Sequence, residues 1–248
     1  YVLARRIRAQ IEQYASVLRS LALSKFSSVA RPDRCVGIAA ERCSLARNTA
    51  RRRRDSKSNT MPGMNVMIPL GGIGSRFQKE GYKYPKPFVR VLGKEMILWV
   101  VDSLKLRKED SLVVVYNPAF LDMRELMEMV VQHVPGTILV ELPGPTRGAA
   151  ETVRIGLEGL SASQRSRPTM LVDGDAFYTV DIVSMYRAIS DKAGGSFCFR
   201  DTQPKPIYSY VTVGSDGKQI TSIKEKVKIS DWANTGCYCF RDGQQLLK

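Results

Sequence analysis

Residues 65–99 read NVMIPLGGIGSRFQKEGYKYPKPFVRVLGKEMILW, and the reading of the whole chain starts there. Val66-Met67-Ile68-Pro69-Leu70 is a short apolar run of the kind that forms a buried strand. A glycine-rich turn follows at once, with Gly71, Gly72 and Gly74 leading to Ser75 and Arg76. Glycines in such a turn let backbone N–H groups converge on one point and let a bulky anion approach closely. Ten residues after Arg76 stands Lys86, held between Pro85 and Pro87, whose fixed backbone pre-sets where the ammonium points. Converging amides, a guanidinium and a stiffly mounted ammonium suit a polyphosphate. The glycines alone also fit a plain tight turn. Two common phosphate loops are excluded: no Gly-Lys-Ser/Thr follows the glycines, and Phe77 stands where the dinucleotide fingerprint needs a third glycine.

Outward from this stretch, strand and helix patterns alternate. Met96, Ile97, Val100, Val101 and Leu104 mark one face of a helix, and Met123, Leu126, Met127, Val130 and Val131 mark another. Helices are also expected over 148–160 and 180–189, and strands over 111–116, 137–142, 169–172 and 196–200. The alternation predicts an α/β fold, a Rossmann-like three-layer sandwich with a mostly parallel central sheet. Ligands in such sheets lie beyond the C-terminal ends of the strands, where the glycine loop falls. After Arg200 the pattern turns to β, with 207–213 and 219–227 flanking the Asp216-Gly217 turn signal and a last strand over 236–240.

Composition narrows the function classes. The net charge of +14 suggests nucleic acid until it is located: residues 1–60 hold fourteen Lys and Arg against four Asp and Glu, leaving only +4 for the rest. The basicity belongs to the leader, which is Arg- and Ser-rich and includes four successive arginines, Arg51 to Arg54. It reads as a disordered, dispensable extension, with an organelle-targeting segment or a basic arm for anionic partners as the rival readings. No apolar run approaches the ~20 residues of a membrane span. Five cysteines without a C-x-x-C and a single histidine, His133, argue against a zinc site, a disulfide framework and histidine-based catalysis. His133 itself reads as a surface or helix-capping residue, and a cytoplasmic protein is expected.

Asp173-Gly174-Asp175 ends the fourth strand pattern. Residues i and i+2 of an extended segment point to one side, so both carboxylates can address one hard cation; a strand ending in a turn is the plainer alternative.

Gly72-Ile73-Gly74-Ser75-Arg76, Pro85-Lys86-Pro87 and the run Gly93-Lys94-Glu95-Met96-Ile97 together resemble the sugar-nucleotide pyrophosphorylases, GT-A-like members of the nucleotidyltransferases. Glu95 departs from that pattern, in which proline is usual. The resemblance spans about Met64 to Phe240 and implies a catalytic domain over 64–248 that is short at its C-terminus. It implies condensation of an NTP with a sugar 1-phosphate to an NDP-sugar and pyrophosphate, for glycan precursor synthesis, with Mg²⁺ as cofactor. By the same resemblance, Arg76, Lys86 and Lys226 would be catalytic. Leu70, Gly71, Gly72, Gly74, Ser75, Gly148 and Ala149 would hold the nucleotide. Glu225, Asn234 and Gly236 would line the sugar pocket, and Asp175 with Asp173 would hold the metal. A second metal carboxylate, placed further along such chains, has no assignment here. Three rivals stand beside this reading: a non-catalytic nucleotide- or sugar-phosphate-binding regulatory relative, a phosphocholine-type cytidylyltransferase, and a nucleic-acid-binding protein acting through the leader. NTP and sugar 1-phosphate are the expected partners, and oligomerisation is left open.

Overall fold

The computed structural model describes residues 63–72, 77, 79–190 and 194–247. The leader, residues 73–76 of the glycine loop and residue 78 lie outside them. Among the described residues, the compact unit below comprises those from 63 to Arg90 and from Lys94 onward. Its centre is one sheet of eight strands. They are β1 (Asn65–Leu70), β2 (Ser111–Tyr116), β3 (Ile138–Glu141), β4 (Thr169–Val172), β5 (Gly195–Arg200), β6 (Ser209–Val213), β7 (Ile220–Glu225) and β8 (Trp232–Phe240).

The order is β3-β2-β1-β4-β8, and β1 to β4 all run parallel. Strand β8 runs antiparallel to β4 on one side and to β5 on the other. The β6–β7 hairpin joins through Ala233 of β8, opposite Tyr210. The sheet is thus mixed, with a parallel half built first and an antiparallel half added from Gly195 onward. The chain steps outward from β1 to β2 to β3 and then returns to the other side of β1 for β4. That reversal is a topological switch point, and it opens a crevice at the carboxyl ends of β1 and β4. The crevice has a local cause as well. The β1–β4 ladder covers only Asn65 to Met67, and Pro69 has no N–H with which to extend it.

Helices α1 (Met96–Ser103), α2 (Met123–His133) and α5 (Ile182–Arg187) cover one face of the sheet, and α3 (Ala149–Glu158) covers the other. A short α4 (Ala162–Arg165) leads into β4. On the first face Val66, Ile68, Leu112, Val114, Met170 and Val172 pack against Ile97, Val101, Met127 and Ile182. On the second Met67, Val113 and Val115 pack against Val153 and Leu157. Both faces of the inner strands are covered, so these strands read as continuous apolar runs rather than as alternation. The methionines of α2 are core, and His133 ends α2 with its Nε2 2.6 Å from Asp102 Oδ1 of α1, tying two helices together.

Three expectations shift. Strand β8 begins at Trp232, four residues before the expected start at Gly236, because its register against β5 slips between Asn234 and Tyr238 and the slip breaks the alternation. Strand β6 begins at Ser209 instead of Ile207. Helix α4 was not expected, although Ser161 and Gln164 form a reciprocal capping box that the sequence carries as S-x-x-Q. The Asp216-Gly217 turn is as expected: Asp216 Oδ1 accepts from the amides of Lys218 and Gln219, and Gly217 has φ +65°.

Candidate active site

The crevice collects most of the residues singled out by sequence. Leu70 closes β1 and is buried, Gly71 is buried behind it, and Gly72 is open to solvent. Gly74, Ser75 and Arg76 lie outside the described residues. From the next segment, the 3-10 turn Lys86–Phe88 opens with Pro85 at its N-cap, so the turn holds Lys86 by the fixed backbone of its flanking prolines. Lys86 Nζ meets Asp175 Oδ2 and lies 5.8 Å from the centre of the Phe77 ring. An ammonium from the β1 side and a carboxylate from the β4 side therefore face each other across the switch point.

Asp173-Gly174-Asp175 reaches the crevice by close packing. A Cβ on Gly174 would lie 2.9 Å from Leu70 Cδ2 and 3.3 Å from Pro87 Cγ, so glycine lets this turn nest against the end of β1 and the Pro-Lys-Pro turn without displacing the Leu70 side chain. The Asp173 amide donates to Gly236 O at 3.1 Å, tying the turn to β8. Surrounding protein, and next the Asp175 charge, push the Asp173 carboxyl up to about 6, while Lys86 opposes the shift. The carboxylate nonetheless keeps contact with solvent.

The donor set suits a small hard cation. Asp173 and Asp175 offer carboxylate oxygens at one strand end, and the Lys86 ammonium already stands against Asp175 as a cation would. Mg²⁺ commonly uses one or two carboxylates, with water and substrate phosphates completing the shell, so two protein ligands suffice. Among the described residues no group of three or more His, Cys, Asp and Glu gathers as a metal cluster.

On the opposite lip, Gly148 and Ala149 are exposed at the start of α3. The sequence missed what joins them to the glycine loop. Thr152, one turn into α3, is buried; its hydroxyl donates to Gly148 O at 3.2 Å and lies 2.8 Å from the Thr146 hydroxyl. A Cβ on Gly71 would fall 2.3 Å from Thr152 Oγ1, so the first glycine of the loop rests on this threonine pair. The legible signal was a Thr four residues after the helix-entry Gly, able to bond back to the i−4 carbonyl.

The residues expected to line a sugar pocket divide. Glu225 ends β7 and Lys226 follows it; both are exposed and pair with each other, Nζ–Oε1 2.7 Å, rather than with the Asp173–Asp175 turn. Lys226 holds φ +54°, a left-handed conformation rare for a residue with a Cβ, and its amide donates to Tyr208 O at 2.8 Å. Asn234 is buried, with its Nδ2 donating to Ser196 Oγ at 2.6 Å and its Oδ1 accepting from the Gly236 amide at 2.6 Å. Gly236 has φ +79°, and a Cβ there would lie 2.2 Å from Asp173 Oδ2. Burial, followed by the charges of Asp173, Cys198 and Glu225, raises the Tyr238 hydroxyl above its ordinary value. Glu95, the departure from the resemblance, is buried and ion-paired with Arg90, Nε–Oε1 2.7 Å.

A family model for nucleotidyl transferases covers residues 65–246. The chain belongs to the nucleotidyl transferase family. The family is one of enzymes, and the expected kinship with the nucleotidyltransferases is borne out by membership. Among curated relatives, the bifunctional protein GlmU of Thermodesulfovibrio yellowstonii is 25% identical over 194 residues, 75% of this chain and 40% of that protein. GlmU of Thermosipho africanus is 30% identical over 95 residues, 38% of this chain and 18% of that protein. This chain thus spans less than half the length of these relatives. A nucleoside-diphosphate-sugar pyrophosphorylase from Vibrio cholerae RC9 superposes with a TM-score of 0.59 at 23% identity, covering 73% of this chain and 75% of its own. The inositol-1-phosphate CTP transferase from T. maritima does so at 0.55 and 18%, covering 76% and 74%. At these identities the structural likeness is one of fold. Among the described residues no helix is long and apolar enough to cross a membrane.

Proposed function

We propose that this chain transfers a nucleotidyl group from an NTP to a sugar 1-phosphate, releasing pyrophosphate. The observation that carries the reading is the meeting of Lys86 and Asp175 at the switch point, where Gly174 packs against Leu70 at the end of β1. A phosphate oxygen of the sugar 1-phosphate attacks the α-phosphorus in line; the bond from that phosphorus to the bridging oxygen of the β-phosphate breaks, and pyrophosphate leaves with the electron pair. The nucleophile is already an anion, so no general base is required. What the protein must supply is orientation and positive charge.

Leu70, Gly71, Gly72, Gly74 and Ser75 cradle the triphosphate by backbone amides, with Arg76 and Lys86 on the phosphates that leave. Gly148 and Ala149, at the start of α3, face the nucleobase. Glu225 and Gly236 border the sugar, Asn234 shapes that border, and Lys226 turns from Glu225 to the acceptor phosphate. Asp175, with Asp173, would hold Mg²⁺, which would supply charge neutralisation at the reacting phosphates. The Lys86 ammonium, paired with Asp175 here, would offer its charge to the substrate phosphates.

The test is pyrophosphate release with Mg²⁺ over four NTPs and a panel of sugar 1-phosphates, with phosphocholine as a non-sugar acceptor. One productive pair, abolished by Asp175→Asn and reduced about a hundredfold by Lys86→Ala, is the expected outcome; a single preorganised charge is worth about 3 kcal/mol in the transition state. Near-normal turnover of the Lys86→Ala enzyme would sink the assignment.

A further inference from the structure

In a regular antiparallel ladder, Asn234 opposite Cys198 would put Gly236 opposite Ser196. Here Tyr238 stands opposite Ser196, so β8 carries two extra residues over this stretch. Backbone groups of the bulge lose ladder partners, and buried ones need replacements. Side chains supply them. Ser196 Oγ donates to Cys237 O at 2.7 Å, Thr235 Oγ1 donates to Phe197 O at 2.9 Å, and Asn234 Oδ1 accepts from the Gly236 amide at 2.6 Å. Ser196 Oγ also accepts from Asn234 Nδ2 at 2.6 Å, so one hydroxyl holds both ends of the bulge.

The bulge presses on the acidic turn. Gly236 O accepts the Asp173 amide at 3.1 Å, and the place of a Gly236 Cβ falls within 2.2 Å of Asp173 Oδ2. A continuous path of short contacts therefore runs from Ser196 of β5 through Asn234 and Gly236 to the Asp173 carboxylate.

We propose that Ser196 is a positioning residue that, through the Asn234–Gly236 bulge of β8, sets where the Asp173 carboxylate stands toward a divalent cation. The inference rests on the proposed function for its use of the cation, and on the bulge geometry for the rest. Asn234 accordingly acts by shaping the bulge, because both its amide nitrogen and its oxygen are engaged within the protein.

The experiment compares the full chain with Ser196→Ala and Ser196→Thr. Three readouts are taken: Mn²⁺ affinity by water-proton relaxation without nucleotide, amide hydrogen exchange, and pyrophosphate release split into kcat and KM for Mn²⁺. Ser196→Ala is expected to weaken Mn²⁺ binding about tenfold, as loss of partners behind metal ligands commonly does. It is expected to speed exchange at the Gly236 and Asp173 amides while leaving β1 and β2 unchanged, and Ser196→Thr, which keeps the hydroxyl, restores both. Faster exchange with unchanged Mn²⁺ affinity would show a purely structural serine and overturn the proposal, as would no change in either. A wild-type chain that binds Mn²⁺ but transfers no nucleotide would sink the reaction and leave the positioning effect standing. A wild-type chain that binds no Mn²⁺ would sink both.

Discussion

Gly236→Ala is the sharpest single perturbation of the site. Gly236 holds φ +79°, where an L side chain costs about 1–2 kcal/mol. The added Cβ would lie 2.2 Å from Asp173 Oδ2, 2.7 Å from Cγ and 3.1 Å from the Asp173 Cβ, so three atoms of one side chain must retreat. Carbon–oxygen contact near 3.4 Å requires the carboxylate to move by roughly 1 Å, a displacement that can cost about a hundredfold in rate. Gly217→Ala is the matched control: Gly217 has φ +65° but nothing within 4 Å of its Cβ position. Both variants should lose about 1–2 kcal/mol in denaturant unfolding, and Gly236→Ala somewhat more. Gly236→Ala alone should lose about two orders of magnitude in kcat for pyrophosphate release. Equal activity in the two variants, at equal loss of stability, would refute the claim that the position of Asp173 governs the chemistry.

Other sites yield further expectations. The Asp110 side chain is buried, takes Arg187 Nη2 at 2.7 and 2.6 Å on its two oxygens and accepts the Met64 and Arg107 amides, so Asp110→Ala should cost about 3–5 kcal/mol by urea unfolding; a loss below about 1 kcal/mol would contradict this. Lys226→Gly relieves the left-handed strain at φ +54° and should raise stability by up to about 1 kcal/mol while lowering pyrophosphate release; unchanged release would remove Lys226 from the catalytic set. The Tyr210 hydroxyl donates to Asp201 at 2.6 Å and, with the Gln203 amide, holds that carboxyl below its usual 3.8. The folded value is the depressed one, so the stabilisation is full above the usual value and fades as pH falls through the folded value. The stability gap between wild type and Tyr210→Phe should therefore be constant near pH 6 and shrink below about pH 4, and a gap independent of pH would refute the linkage.

Much of the architecture was legible in the chain because it rests on local rules. Continuous apolar runs at β1, β2 and β4, helical periodicity at α1 and α2, and the Asp216-Gly217 turn each express a periodicity or a φ preference that neighbouring residues carry. Lys86 between two prolines and two carboxylates at i and i+2 are likewise local statements, and they sufficed to place both at one strand-end crevice once strand order was known. What lay outside this reach depends on pairing between distant segments. The early start of β8 is hidden because the register slip breaks its alternation. Thr152 under Gly71 and Ser196 behind Asp173 join residues that only strand order brings together.

The sequence by itself determined most of the elements, the parallel half of the sheet and the identity of the charged groups, since each follows from side-chain pattern within a few residues. Only the tertiary structure decided that Lys86 meets Asp175, that Asn234 is turned inward and that Gly236 presses on Asp173. Those outcomes follow from the return of the chain to the other side of β1 and from a bulge whose unpaired backbone groups had to find partners nearby.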